Sequence, residues 1–102
     1  MANLIVTFRI ASDSGYQSRY DSFVAAAHEL ADGGVSSTWE ETTSFLSFRV
    51  AGTAESVCQH LYLKSAFDST KDVMVVIDIG MQKKAVKGPV NYLGTLTANL
   101  GF

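Results

Sequence analysis

The sequence predicts an α+β fold: an antiparallel four-stranded sheet, two helices packed on one face of it, and a C-terminal extension. Three observations carry this. Leu4–Ile10, LIVTFRI, is a β-branched and aromatic run with strand alternation. Two stretches with helical spacing, about 18–31 and 54–64, each follow a strand. Asp72–Ile79, DVMVVIDI, is a nearly all-apolar run that suits the inside of a sheet. With 102 residues the chain suffices for one domain with its own core.

In the first run, Leu4, Val6, Phe8 and Ile10 fall on one face and Ile5, Thr7 and Arg9 on the other. Ser12–Gln17 is a polar turn. The helix over 18–31 presents Tyr20, Phe23, Val24, Ala27, Leu30 and Ala31 as one stripe, with Arg19, Ser22, Glu29 and Asp32 off it. Gly33-Gly34 ends it. Val35–Glu41, VSSTWEE, reads as a second, more polar strand. A hairpin around Glu40–Thr43 leads into a third, Thr42–Val50, with Leu46, Phe48 and Val50 on one face and Phe45, Ser47 and Arg49 on the other. Thr53 is a good N-cap for the second helix, whose buried stripe takes Val57, Cys58 and Leu61. In the fourth strand Val73, Val75, Ile77 and Ile79 share a face, and Asp72, Met74, Val76 and Asp78 share the other.

The order strand, helix, strand, strand, helix, strand is the ferredoxin-like βαββαβ arrangement, the split β-α-β unit. Right-handed crossovers place Leu4–Ile10 in the middle, beside the third and fourth strands. Residues 1–80 form this core. Residues 81–102 extend it, opening on Lys83, Lys84 and Lys87 and ending in a segment that reads as a helix after Pro89 or as an edge strand.

Composition excludes several classes. Apolar content of 47% and charged content of 18% describe a globular chain, not a disordered one. A net charge of −2 supplies no global field toward polyanions. A single cysteine, Cys58, suits a reducing cytoplasm. No signal peptide and no membrane span are expected. His28 and His60 have no partners at zinc-ligand spacing, and no phosphate loop, dinucleotide fingerprint or nucleophile elbow is present. No cofactor is expected.

If the helices cover the Leu4/Leu46/Val75 face, the open face shows Ile5, Thr7, Phe45, Ser47, Met74 and Val76. Arg9 with Asp72 and Arg49 with Asp78 would flank this apolar centre. Such a patch marks an interface: two such faces stack into a homodimer, or the tail folds over the face, and either reading ranks above a ligand site. Asp13, just past the first strand, is a metal-ligand candidate, set against its ordinary role as a turn-forming residue. Lys83, Lys84 and Lys87, with Tyr92, are candidates for contact with nucleic acid.

LIVTFRI, Ser37-Thr38-Trp39, the polar Asp68–Asp72 segment before VMVVIDI, and a tail carrying Gly88 and Leu93 are similar to small SinR-like proteins. These resemble the CRISPR adaptation endonuclease family and toxin–antitoxin RNases. The resemblance implies the same split β-α-β fold and a dimer. Some members cut RNA or DNA with a metal held by an aspartate at the end of the first strand, and others only bind or scaffold. Where the family often has a Tyr-Asp pair, this chain has Phe8-Arg9. The reading is therefore a dimeric binding or scaffolding protein with a protein or nucleic-acid partner. The alternatives are an endoribonuclease using Mg or Mn at Asp13, and a small-molecule sensor.

Overall fold

A computed structural model describes residues 1–102. Eight elements follow one another: β1 (Ala2–Arg9), α1 (Tyr16–Leu30), a short 3-10 turn (Gly34–Ser37), β2 (Phe45–Val50), α2 (Ala54–Leu63), β3 (Val73–Asp78), β4 (Lys83–Lys87) and α3 (Leu93–Leu100). The four strands form one antiparallel sheet in the order β2-β1-β3-β4. β1 is central, as its sequence predicts. No helix is long and apolar enough to cross a membrane.

The core lies between one sheet face and α1 with α2. Leu4, Val6, Phe8 and Ile10 are all buried there with Leu46, Phe48 and Val50. Phe23 of α1 is fully buried, 4.5 Å from the Phe8 ring centroid and 5.8 Å from that of Phe67. Thr53 caps α2 as expected: its hydroxyl accepts from Ser56 N–H, and the Ser56 hydroxyl accepts from Thr53 N–H.

Two sequence expectations are corrected. Val35–Glu41 is not a strand. Gly33 and Gly34, at φ of +86° and +65°, turn the chain into the 3-10 segment. There Ser36 and Thr38 hydroxyls donate to the carbonyls of Gly33 and Gly34. These local bonds compete with ladder bonds, which is why serine and threonine runs resist strand formation. Only Trp39 reaches the sheet, through a two-way backbone bridge to Ser47. The fourth strand comes instead from the tail: Lys83–Lys87 pairs with β3 across a turn in which Gln82 has φ of +54°.

The second correction is the parity of β3. Val6 pairs with Val76, Phe8 with Met74 and Leu4 with Asp78. Directly opposed residues share a face. Met74, Val76 and Asp78 therefore point into the core, at 0%, 0% and 4% exposure, while Val73, Val75 and Ile77 take the other face. The strand is apolar on both faces, so alternation alone leaves its parity open. The sequence alternation predicts both flanking aspartates on the open face, yet both point inward: Asp72 meets Arg19 and two backbone amides, and Asp78 meets the Met81 amide alone.

Candidate functional site

Asp13, at the end of β1, belongs to an ion-pair cluster. Arg19, one turn into α1, is 8% exposed. Its Nε donates to Asp72 Oδ2 at 2.9 Å, and one terminal nitrogen donates to Asp72 Oδ1 at 3.3 Å and to the Ala11 carbonyl at 3.0 Å. The other terminal nitrogen donates to Asp13 Oδ1 at 2.9 Å. Lys71 Nζ donates to Asp13 Oδ2 at 2.6 Å. Asp72 also accepts the N–H groups of Ala11 and Asp68 at 2.8 and 2.9 Å. Arg19, Lys71 and the Gly15 amide hold the Asp13 carboxyl well below its ordinary range. Burial pushes Asp72 up, but the Arg19 guanidinium and the two amides more than offset it, so it too lies below its ordinary value. Both oxygens of Asp13 are engaged by cations, so a metal there would have to displace Arg19 and Lys71. The cluster ties the β1 exit, α1 and the β3 entry together. Arg19, expected off the helix stripe, is instead buried with it: it lies four residues before Phe23, and that spacing is the signal the sequence carries.

The sheet face turned away from α1 and α2 is the second feature. Register places Ile5 opposite Ser47 and Ile77, Thr7 opposite Phe45 and Val75, and Val75 opposite Val86. Val75 is 8% exposed, while Ile5, Phe45, Ser47, Val73, Ile77 and Val86 are half-buried. Trp39, opposite Ser47 and 43% exposed, packs edge-on against Phe45 with ring centroids 5.7 Å apart. Of the predicted interface residues, Ile5, Thr7, Arg9, Phe45, Ser47 and Arg49 share this face. Met74, Val76 and Asp78 do not.

The parity change also rearranges the charges. Asp72 and Asp78 leave this face, so neither pairs with Arg9 or Arg49. Arg9 ends β1, and Arg49 of β2 lies opposite Asn3 at the other end of β1, with no carboxylate within 4 Å of either. The third cation is Lys84, opposite Ile77. The three candidate lysines are thereby divided. Lys83 and Lys87 alternate to the core side of β4, and Lys87 Nζ lies 4.3 Å from the Tyr62 ring centroid of α2. Lys84 Nζ donates to the Phe102 carbonyl at 2.5 Å and holds the end of the tail. That tail is otherwise loosely attached: α3 has at most marginal contact with any other element, and Tyr92 and Leu93 before and within it are exposed.

Of the remaining candidates, His28 meets Glu40 in an exposed ion-pair geometry. Cys58 is buried, and burial raises its thiol pKa. Compared with family models, curated proteins and solved structures, the chain matches none.

Proposed function

We propose that this chain is a non-catalytic binding module that pairs with a second copy of itself through the uncovered sheet face. One observation carries the reading: Ile5, Phe45, Val73, Val75, Ile77 and Val86 form one continuous apolar surface that neither α1 nor α2 covers. A second identical face is the simplest cover for it. The cations Arg9, Arg49 and Lys84 lie around that surface; Lys84 is tied to the Phe102 carbonyl, and the long side chains of Arg9 and Arg49 can reach outward to water as the centre closes.

The same features support a place among ferredoxin-like folds. On this reading the strand expected at 35–41 has shrunk to the Trp39–Ser47 bridge, and Lys83–Lys87 has been added at the opposite edge. The kinship with the SinR-like group rests on LIVTFRI in the central position and on Ser37-Thr38-Trp39 beside the sheet. The engagement of Asp13 by Arg19 and Lys71 favours the binding members of that group over the cutting ones.

Light scattering tests the pairing. The native chain is expected at twice its 11.0 kDa mass, and Ile5→Lys and Ile77→Lys at the single-chain mass with unchanged circular dichroism. A native chain that stays monomeric at high concentration overturns the proposal. Dimers that survive both substitutions place the interface elsewhere. A second reading is favoured by the absence of any carboxylate on this face: a single-stranded nucleic acid held by Arg9 and Arg49, with Trp39 as a stacking surface. It requires binding of a single-stranded oligonucleotide that weakens steeply with salt and is reduced by Arg49→Ala.

A further inference from the structure

Asp78 and Asp72 stand at the two ends of β3, both facing the core, and they are treated differently. Asp72 is fully buried and receives Arg19 and two backbone amides. Asp78 is 4% exposed, and its carboxylate receives one hydrogen bond, from Met81 N–H at 3.0 Å. No cation lies within 4 Å of it. A carboxylate this buried ordinarily has a charged partner or several donors. Asp78 has neither, and it lines a cavity of about 590 Å³ between the start of α2, the β3–β4 turn and the end of the tail.

The rest of the lining has a definite chemistry. Lys83, paired with Asp78 across the strands, supplies a cation on the same wall. Ala54 and Glu55 open α2, and the Thr53–Ser56 capping pair leaves their N–H groups without intrahelical partners. Phe102 and Met81 add apolar surface, and Phe102 is held in place by Lys84. The strand wall thus offers, side by side, an acceptor for a cation in Asp78 and a cation in Lys83. The start of α2 adds N-terminal amides for an anion, with the Glu55 side chain also in the lining. The apolar remainder fits a short side chain.

We propose that this cavity binds a free α-amino acid. The ligand ammonium is held by the unused oxygen of Asp78, and its carboxylate by Lys83 and the first amides of α2. Asp78 and Lys83 reach the site from the core side of the sheet, and Lys84, at the border of the apolar face, joins it only through Phe102; the proposal does not rest on the pairing proposed above.

Isothermal titration with each of the standard L-α-amino acids at millimolar concentration tests this. At least one is expected to bind and to raise the melting temperature. Asp78→Asn keeps an oxygen to accept Met81 N–H but loses the charge, and it should weaken that binding about tenfold or more at an unchanged fold. Lys83→Met should do the same, and the N-acetyl derivative of the binding amino acid should not bind. No binding by any amino acid overturns the proposal, as does equal binding of the N-acetyl form. Should Asp78→Asn fail to fold, Lys83→Met and the derivative decide. The molecular mass is read separately, so failure here and failure of the pairing are distinguishable.

Discussion

Asp72→Asn is the substitution that tests the cluster holding β1, α1 and β3 together. Asparagine fills nearly the same volume, so packing is kept and electrostatics change. The native carboxylate accepts from Arg19 Nε, an Arg19 terminal nitrogen, Ala11 N–H and Asp68 N–H. An amide keeps one acceptor oxygen and turns an NH2 toward a group that is itself a donor. Arg19, 8% exposed, keeps its bonds to Asp13 and the Ala11 carbonyl but loses its buried counter-charge. Breaking a buried pair by removing one partner costs about 3–5 kcal/mol. Unfolding entropy of about 2.1 cal/mol/K per residue gives a chain of this length about 0.2 kcal/mol/K, so the melting temperature should fall by roughly 15–25 °C. Scanning calorimetry at neutral pH measures it. A fall smaller than about 5 °C would mean that the cluster is solvated and contributes little. The double variant Arg19→Met/Asp72→Leu should recover much of the loss, because it removes both charges and leaves apolar groups in their place.

The pH dependence follows from the same cluster. Asp13, Asp68 and Asp72 all titrate below their ordinary value of 3.8 in the folded chain. Below that value the unfolded chain takes up protons that the folded chain resists. The stabilisation is therefore complete above about pH 4 and is lost as pH falls through the lower folded values. Acid unfolding curves should show this loss in the native chain and a shallower one in Asp72→Asn.

Three further outcomes are expected. Gly88→Ala should destabilise by about 2 kcal/mol or more in urea unfolding, because Gly88 has φ of +97° and a Cβ there would sit 1.9 Å from the Asp72 carbonyl oxygen; Gly94→Ala, with nothing near its Cβ position, should be neutral or stabilising by up to about 1 kcal/mol. Cys58, buried and with its thiol pKa raised by burial, should react with a thiol reagent at mildly alkaline pH only as fast as the chain opens, and at once in denaturant. Val76→Lys should abolish folding while the adjacent Ile77→Lys folds, as read by circular dichroism, since only Val76 points into the core.

How much the sequence could disclose depended on how one-sided each segment is. The run 4–10 carries Leu4, Val6, Phe8 and Ile10 on one face against Ile5, Thr7 and Arg9 on the other, and its core face and central position were legible. β2 was legible from Phe45 onward for the same reason. β3 is apolar on both faces, and a pattern of period two has nothing to discriminate in VMVVI. Its parity is set by Asp72 and Asp78, whose inward direction depends on Arg19 and the Met81 amide, partners distant in sequence or hidden in a turn. The segment 35–41 has strand composition in Val35 and Trp39 but local hydroxyl-to-carbonyl bonds that only the two left-handed glycines make available. Lys83–Lys87, basic and short, has a poor strand composition, and it pairs because the turn after Asp78 returns it to an unsatisfied edge.

The one-residue shift on β3 has consequences beyond its own side chains. With Asp72 and Asp78 on the open face, Arg9 and Arg49 would have carboxylate neighbours, and the face would be an electrically balanced surface with an apolar centre. Turning β3 over removes both carboxylates at once. It buries one with Arg19, where it locks the β1 exit against α1. It buries the other beside the start of α2, where it faces a cavity with a single hydrogen bond. The exchange brings Val73, Val75 and Ile77 to the open face, making its centre more apolar than the sequence alternation implied, and leaves Arg9, Arg49 and Lys84 as its only charges. The apolar gain favours a protein cover, and the charge loss means that a second copy must approach with its cations turned outward. Raising ionic strength should therefore strengthen self-association by screening that repulsion, whereas an anionic partner on the same face would be released by it. Light scattering across a salt series separates the two, and a dimer that dissociates as salt rises would refute the apolar account of the face.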